Sequence, residues 1–397
     1  MTILSPSFPA SAAVRRIEQS SRRVQQPAST ASLVSLAMGE PDFDTPAVVR
    51  EAAERALANG RTHYSPLAGE ASLRGPLADR IGALTGSAVD AGDVLITHGG
   101  TGGLAAAILG IVSPGDRVVI PDPTYSLYSD LVSMAGGVAV HVPIAADLHW
   151  DLDRLRDALV GARLFVFCNP GNPTGIVHTR EELEALASFV DGTDTIVLSD
   201  EAYSTLDFTG RPFTSALEID GLRERTVYCQ TFSKSYAMTG WRVGYLWGPS
   251  ELIRASARVH NTFNGSVNTA VQDAALAALE HAGADIERMR AAYAVRREIM
   301  REGLVQVPGL QISEPEGAFY FFPRYSASTA AGASIGSVDM VARLREAGIA
   351  VRPGFEFGAN GENHLRLSYA ASEDAIRTGT ERMKAAFEGF ATTTDLE

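Results

Sequence analysis

A chain of 397 residues, 45% hydrophobic and 20% charged, has the composition of a soluble globular protein and more length than one ordinary core needs, so at least two compact regions are expected. A formal net charge of −13 repels a phosphate backbone and disfavours nucleic acid as a partner. With no apolar run near the roughly 20 residues of a bilayer span, no positively charged leader, and only Cys168 and Cys229, the expectation is a cytoplasmic protein without membrane contact or disulfide framework.

The stretch up to Leu36, rich in Ser, Arg and Gln, reads as a surface arm or helix. From Val94 to Trp247, short apolar runs alternate with helical spacing. Predicted strands are Val94–Thr97, Val118–Ile120, Val138–Val142, Leu164–Cys168, Ile196–Leu198, Val227–Gln230 and Val243–Trp247. Their near-continuous hydrophobicity suits strands covered on both faces, and the segment 181–190 carries helical periodicity. The fold class is therefore α/β with a mostly parallel sheet. After Leu252 come long Ala- and Arg-rich helices through Met300, then short strand-like runs near Phe319, Ala350 and Leu365, which suggest a smaller α+β domain.

Four loops at predicted strand ends, where α/β folds place ligands, carry unusual residues. His98-Gly99-Gly100-Thr101-Gly102-Gly103 precedes a helix predicted to begin near Leu104. Its exposed N–H groups and the Thr101 hydroxyl can cradle an anion, although a tight turn reads equally well and the spacing matches neither the dinucleotide fingerprint nor the P-loop. Asn169-Pro170-Gly171-Asn172-Pro173-Thr174-Gly175 is stiff enough to aim the Asn172 amide, a plain connector being the alternative. Asp200, in Ser199-Asp200-Glu201-Ala202-Tyr203, is a carboxylate at a buried strand end and needs a cationic partner, unless it caps a helix. Thr231-Phe232-Ser233-Lys234-Ser235-Tyr236 leads into Gly240-Trp241-Arg242. Lys234 is placed to be a desolvated nucleophilic amine, and Arg242 and Ser233 can share a phosphate with the glycine loop.

A phosphate clamp, a buried acid, a phenol, a rigid amide and a desolvated lysine together match one cofactor, pyridoxal 5′-phosphate (PLP). From Gly39 to Tyr369 the sequence resembles the class I/II aminotransferases of the fold-type I PLP-dependent superfamily, the aspartate/aromatic aminotransferase-like enzymes. The most specific parts are Asn172-Pro173-Thr174-Gly175, Asp200-Glu201-Ala202-Tyr203, and Ser233-Lys234 with Arg242. The resemblance implies a three-layer PLP-transferase large domain with a mostly parallel seven-stranded sheet over residues 46–284. It places an arm and part of the small domain in 1–45, and the small α+β domain in 285–397.

Carried over by position, the resemblance implies that Lys234 holds the cofactor as a Schiff base and moves the substrate proton. Asp200 would pair with the ring nitrogen, Asn172 and Tyr203 would bind the ring oxygen, and Tyr125 would stack on the ring. Gly100, Thr101, Gly102, Ser233 and Arg242 match the phosphate site, and Tyr64 matches a tyrosine that reaches the phosphate of a neighbouring subunit, which implies a homodimer. Arg366, with Gly39 and Asn172, matches the site of the substrate α-carboxylate. The implied reaction is ping-pong transfer of an amino group from an L-amino acid to a 2-oxo acid, with no metal. Other PLP chemistry on the same scaffold (elimination, decarboxylation, cyclisation, an oxidase-like process) is the alternative.

Alignment to the family puts Asn261 and Thr101 where members carry a cation for a distal carboxylate. A neutral or aromatic substrate side chain is thus expected, with Arg15, Arg16, Arg22 or Arg23 of the arm as other anchors. The arm is shorter and more polar than the family's substrate lid. A ligand-sensing regulator would need a DNA-binding module ahead of Gly39, and a nicotinamide dehydrogenase would need a G-x-G-x-x-G turn. The 8 histidines show no metal-ligand spacing and read as surface or core.

Overall fold

The computed structural model describes residues 10–25, 33–329 and 332–390. Its centre is a seven-stranded sheet in the order Val94–Thr97, Gly244–Trp247, Thr226–Thr231, Ile196–Asp200, Leu164–Cys168, Arg117–Asp122, Val138–Pro143. Gly244–Trp247 runs antiparallel to both neighbours, and the other pairs are parallel. Every residue of Val94–Thr97, Leu164–Cys168, Ile196–Asp200 and Thr226–Thr231 is buried. That two-sided burial is why these strands read as continuous apolar runs.

Alternate residues feed two cores. Ile120, Val166 and Leu198 pack with Leu104 and Ile108 of helix Gly99–Ile111, together with Leu127 and Ile253 from helices Leu127–Ala135 and Ser250–Asn264. On the other face, Val119, Phe165 and Val197 meet Leu155 and Leu183 from helices Leu152–Leu159 and Arg180–Val190. Helices Ala71–Thr85 and Thr269–His281 close that face over Val94, Tyr228 and Tyr245. The result is three layers, as the α/β pattern implied.

The C-terminal part has a three-stranded antiparallel sheet, Tyr320–Phe321, Leu365–Ser368, Arg352–Pro353, with helices Gly283–Leu304, Ser337–Glu346 and Glu373–Glu388. Val34–Ser35 pairs with Ile349–Ala350, and Leu36 is joined to this part through Ala350 and Ser368. The arm is helical over Ala12–Ser20, with Ser11 as its N-cap. Arg16 donates to the carbonyls of Ser133 at 2.7 Å and Met134 at 3.0 Å, at the C-terminal end of helix Leu127–Ala135 where a cation is favoured. Residues 1–9 and 26–32 of the expected arm lie outside the described residues.

Several boundaries differ from the sequence reading. The helix expected from Leu104 starts at Gly99, because packing against the sheet outweighs the poor helix propensity of successive glycines. Strands expected to stop at Leu198 and Gln230 continue to Asp200 and Thr231, so polar residues occupy buried ladder positions. Among the described residues no helix is long and apolar enough to cross a membrane.

Candidate active site

The carboxyl ends of the parallel strands border a cavity of about 420 Å³, where α/β sheets place ligands. Asp200 closes strand Ile196–Asp200 and is 5% exposed. Its Oδ2 accepts the Tyr128 hydroxyl at 2.8 Å and its Oδ1 the Ala202 amide at 3.3 Å. Burial pushes this carboxyl up to about 6, against both hydrogen bonds and the Lys234 charge; a cation brought beside it would restore its ionised form.

Strand Thr226–Thr231 ends in the short helix Phe232–Ser235, whose N-cap Thr231 accepts the Ser233 amide at 3.2 Å. That turn carries Lys234 into the cavity, where its Nζ donates to the Gly39 carbonyl oxygen. Burial first, then the guanidiniums of Arg366 and Arg242, lowers the amine to about 8. The result is an amine with a substantial neutral fraction near physiological pH.

One end of the cavity is an anion cup. Gly100 and Thr101 of the first helical turn line it together with Ser233 and Arg242. Free N–H groups of that turn and a guanidinium suit a phosphate. Gly99 has φ +67°, and a Cβ there would lie 2.7 Å from Arg242 Nη2. Only glycine lets the guanidinium sit against this turn. Arg242 itself is left-handed at φ 56° and donates to the Thr239 carbonyl at 2.9 Å. Gly102 lies in the same helical turn but outside the cavity lining.

Arg366, 7% exposed in strand Leu365–Ser368, donates to Asn172 Oδ1 at 3.0 Å and to the Ala37 carbonyl at 2.8 Å. Its guanidinium lies over the rings of Tyr320 and Phe357 at 4.3 and 4.8 Å. Its Nε is buried without a partner, and among the described residues it forms no ion pair with a carboxylate. The strand arginine is therefore a buried cation facing a cavity, the state that an incoming carboxylate relieves.

Tyr125, Tyr203, Asn172 and Gly39 line the same cavity. Tyr203 Oη shares a hydrogen bond with Tyr320 Oη at 2.9 Å, and Tyr125 meets Tyr128 edge-on at 5.6 Å. Tyr64 stands apart, 98% exposed, and Asn261 is likewise away from the lining. Sequence reasoning missed Tyr128, Tyr320 and Phe357. Tyr128 had a signal, three residues after Tyr125 at the start of one helix, whereas Tyr320 is brought in from 117 residues beyond Tyr203.

The scattered histidines are not all apart. His149 and His178 meet at Glu182, with ligand-type atoms within 4.8 Å of one another. Both rings hydrogen-bond to this carboxylate, at 2.9 and 3.2 Å, and it also accepts the amides of Thr179 and Trp150. The arrangement is a helix cap with two imidazole donors.

The donor set fits PLP: an anion cup, a buried carboxyl for a ring nitrogen, an amine for an aldehyde, and a buried guanidinium for a substrate carboxylate. Residues 31–382 match the family model for aminotransferase class I and II. An aspartate/prephenate aminotransferase of Thermus thermophilus is 40% identical over 88% of this chain and 90% of its own. An aspartate aminotransferase of Geobacillus stearothermophilus is 35% identical over 90% and 92%. Among solved structures, an aromatic aminotransferase from Pyrococcus horikoshii is 33% identical, with a TM-score of 0.86 over 95% of this chain and 99% of its own. The aspartate aminotransferase from Thermus thermophilus with maleate is 37% identical, with a TM-score of 0.83 over 95% and 97%.

Proposed function

This chain belongs to the class I and II aminotransferase family and is a PLP-dependent aminotransferase, and from that premise we propose that Lys234 is its catalytic amine and a dicarboxylic L-amino acid its donor. The observation that carries the catalytic reading is a desolvated amine and a guanidinium with a buried, unpartnered Nε facing one cavity. Bound there, PLP supplies an aldehyde to join the amine and a protonated ring that draws electrons from the substrate Cα.

The chain's own groups do the rest. Gly100, Thr101, Ser233 and Arg242 hold the phosphate. Asp200, fixed by Tyr128, keeps the ring nitrogen protonated. Asn172 and Tyr203 bind the ring oxygen, and Tyr125 covers the ring. Arg366 grips the α-carboxylate with Asn172 and the Gly39 backbone, so that the Cα proton faces Lys234, whose Nζ takes it and returns it elsewhere on the same face. Release of one 2-oxo acid before the next binds gives ping-pong kinetics.

The proposed donor differs from the neutral side chain that Thr101 and Asn261 suggested. A chamber of about 510 Å³ adjoins the cavity past Met38, Gly39, Tyr125 and Arg366, and Arg23, Arg345 and Arg352 also line it, Arg23 paired with Asp130 at 2.8 Å and Arg352 with Glu356. Guanidiniums paired in this way keep N–H donors that a second carboxylate can share. The names of the relatives, aspartate and aspartate/prephenate aminotransferases, support the same reading. The test is steady-state turnover of L-aspartate against L-phenylalanine. Aspartate should have the higher kcat/KM, and Arg23→Gln should lower it for aspartate alone. A preference for phenylalanine that survives in Arg23→Gln would refute the dicarboxylate while leaving the transferase intact.

A homodimer is proposed on surface chemistry. Tyr64, Leu67 and Phe263 are 98%, 55% and 71% exposed, and their segments are tied together by Ser65 to Val267 and Thr269 to His63 hydrogen bonds. Such an apolar patch suits a second copy.

A further inference from the structure

Behind the turn that carries Lys234 lies a second cavity of about 220 Å³ that the transfer reaction does not use. Phe232, Ser235 and Tyr236 of that turn form one wall, and Leu77, Arg80 and Leu84 of helix Ala71–Thr85 form another. Arg80 donates to Tyr236 Oη at 3.2 Å. The phenols of Tyr228 and Tyr245 line the same cavity, and among the described residues Arg80 forms no ion pair with a carboxylate.

The remaining polar lining is largely satisfied. Gln230 Nε2 donates to the Glu201 carbonyl, Ser204 Oγ and Tyr228 Oη. Glu201 is the one acid of the lining, and its Oε1 already accepts from Ser199, Ser215 and the Ala216 amide. Burial pushes this carboxyl up to about 7, and the three donors at its Oε1 hold it to Ser199, Ser215 and Ala216. What is left over is one guanidinium beside aliphatic and aromatic walls, including Phe213 and Leu279.

We propose that this cavity is a second ligand site, for a small monocarboxylate with an apolar or aromatic body, anchored on Arg80. One cation calls for one negative charge. An amino acid would bring its ammonium against Arg80, and a phosphate would find too few donors, whereas a flat apolar acid satisfies both the guanidinium and the walls. Thr231 lines this cavity and the active-site cavity alike, so an occupant touches the residue that caps the Lys234 turn and changes turnover without competing for Arg366.

Benzoate titrated calorimetrically into the holoenzyme tests the site. The wild type should take up a second equivalent beyond the one held at Arg366. In Arg80→Gln that equivalent should weaken by about tenfold or more, the loss of a charge-assisted hydrogen bond, while turnover without benzoate stays that of the wild type and reports an intact fold. Tyr236→Phe, which keeps the charge and removes one hydroxyl, should weaken the same equivalent less. Unchanged uptake in Arg80→Gln overturns the assignment, as does a single equivalent in the wild type.

Discussion

Lys234 and Asp200 line one cavity, and burial moves them in opposite directions, the amine down to about 8 and the carboxyl up to about 6. Desolvation disfavours the charged form of each, which makes the lysine a nucleophile and leaves the acid in want of a cation. Because only the neutral amine attacks an aldehyde, the rate at which cofactor-free protein captures PLP should rise with pH through about 8. Stopped-flow absorbance measures this, and a flat profile between about pH 6.5 and 9.5 would contradict it. Lys234 and Asp200 could be singled out in the sequence because a charge at the end of an apolar strand is costly and therefore has a purpose, whereas Arg366 came from the family resemblance, since on its own it reads as a strand arginine in an ion pair. Tyr128 and Tyr320 were not, since an aromatic side chain in an apolar segment reads as core until the fold brings its hydroxyl to Asp200 or Tyr203.

Among the elements, burial again separates what could be read from what could not. The strands of the large sheet announced themselves by continuous β-branched and aromatic runs. Pairs such as Val34–Ser35 with Ile349–Ala350 are too short to show a period, and the glycine turn concealed a helix start. Helix Arg180–Val190 begins with a capping box from Thr179 and Glu182, to which His149 and His178 add their rings. The hydrogen bond to Glu182 raises His149. Although burial opposes it, Glu182 is held well below the usual carboxylate range by the two imidazoles and the Thr179 amide. The Glu182 contribution to stability is present above its free value and lost in acid. The His149 contribution is fully present below the free histidine value and fades as pH rises through the raised one. Glu182→Gln should therefore destabilise the protein by about 1–3 kcal/mol near pH 6 and by less above about pH 8. Thermal or urea unfolding at the two pH values checks this, and an equal or larger loss at the higher pH would contradict the ion pair.

At the scale of the molecule, the seven-stranded sheet supplies strand ends and the C-terminal sheet supplies Tyr320 and Arg366, so the cavity exists only where the two meet. Helix Thr269–His281 gives way to Gly283–Leu304 near residue 284, which we propose as the boundary between them. The α/β class and the small domain followed from the order of elements. The arginine-lined chamber did not, because Arg23 of the arm meets Arg345 and Arg352 from more than 300 residues away, a convergence that no spacing reveals. The central claim is that Lys234 moves the proton by which an amino group leaves its donor, in a half-reaction that a second substrate reverses. Its most direct test is the visible absorbance of the holoenzyme, recorded as an amino acid and then a 2-oxo acid are added. A cofactor band that bleaches with L-aspartate, returns with a 2-oxo acid, and is lost in Lys234→Ala is the predicted result. A band that bleaches and never returns, or a Lys234→Ala protein that still cycles, would contradict it.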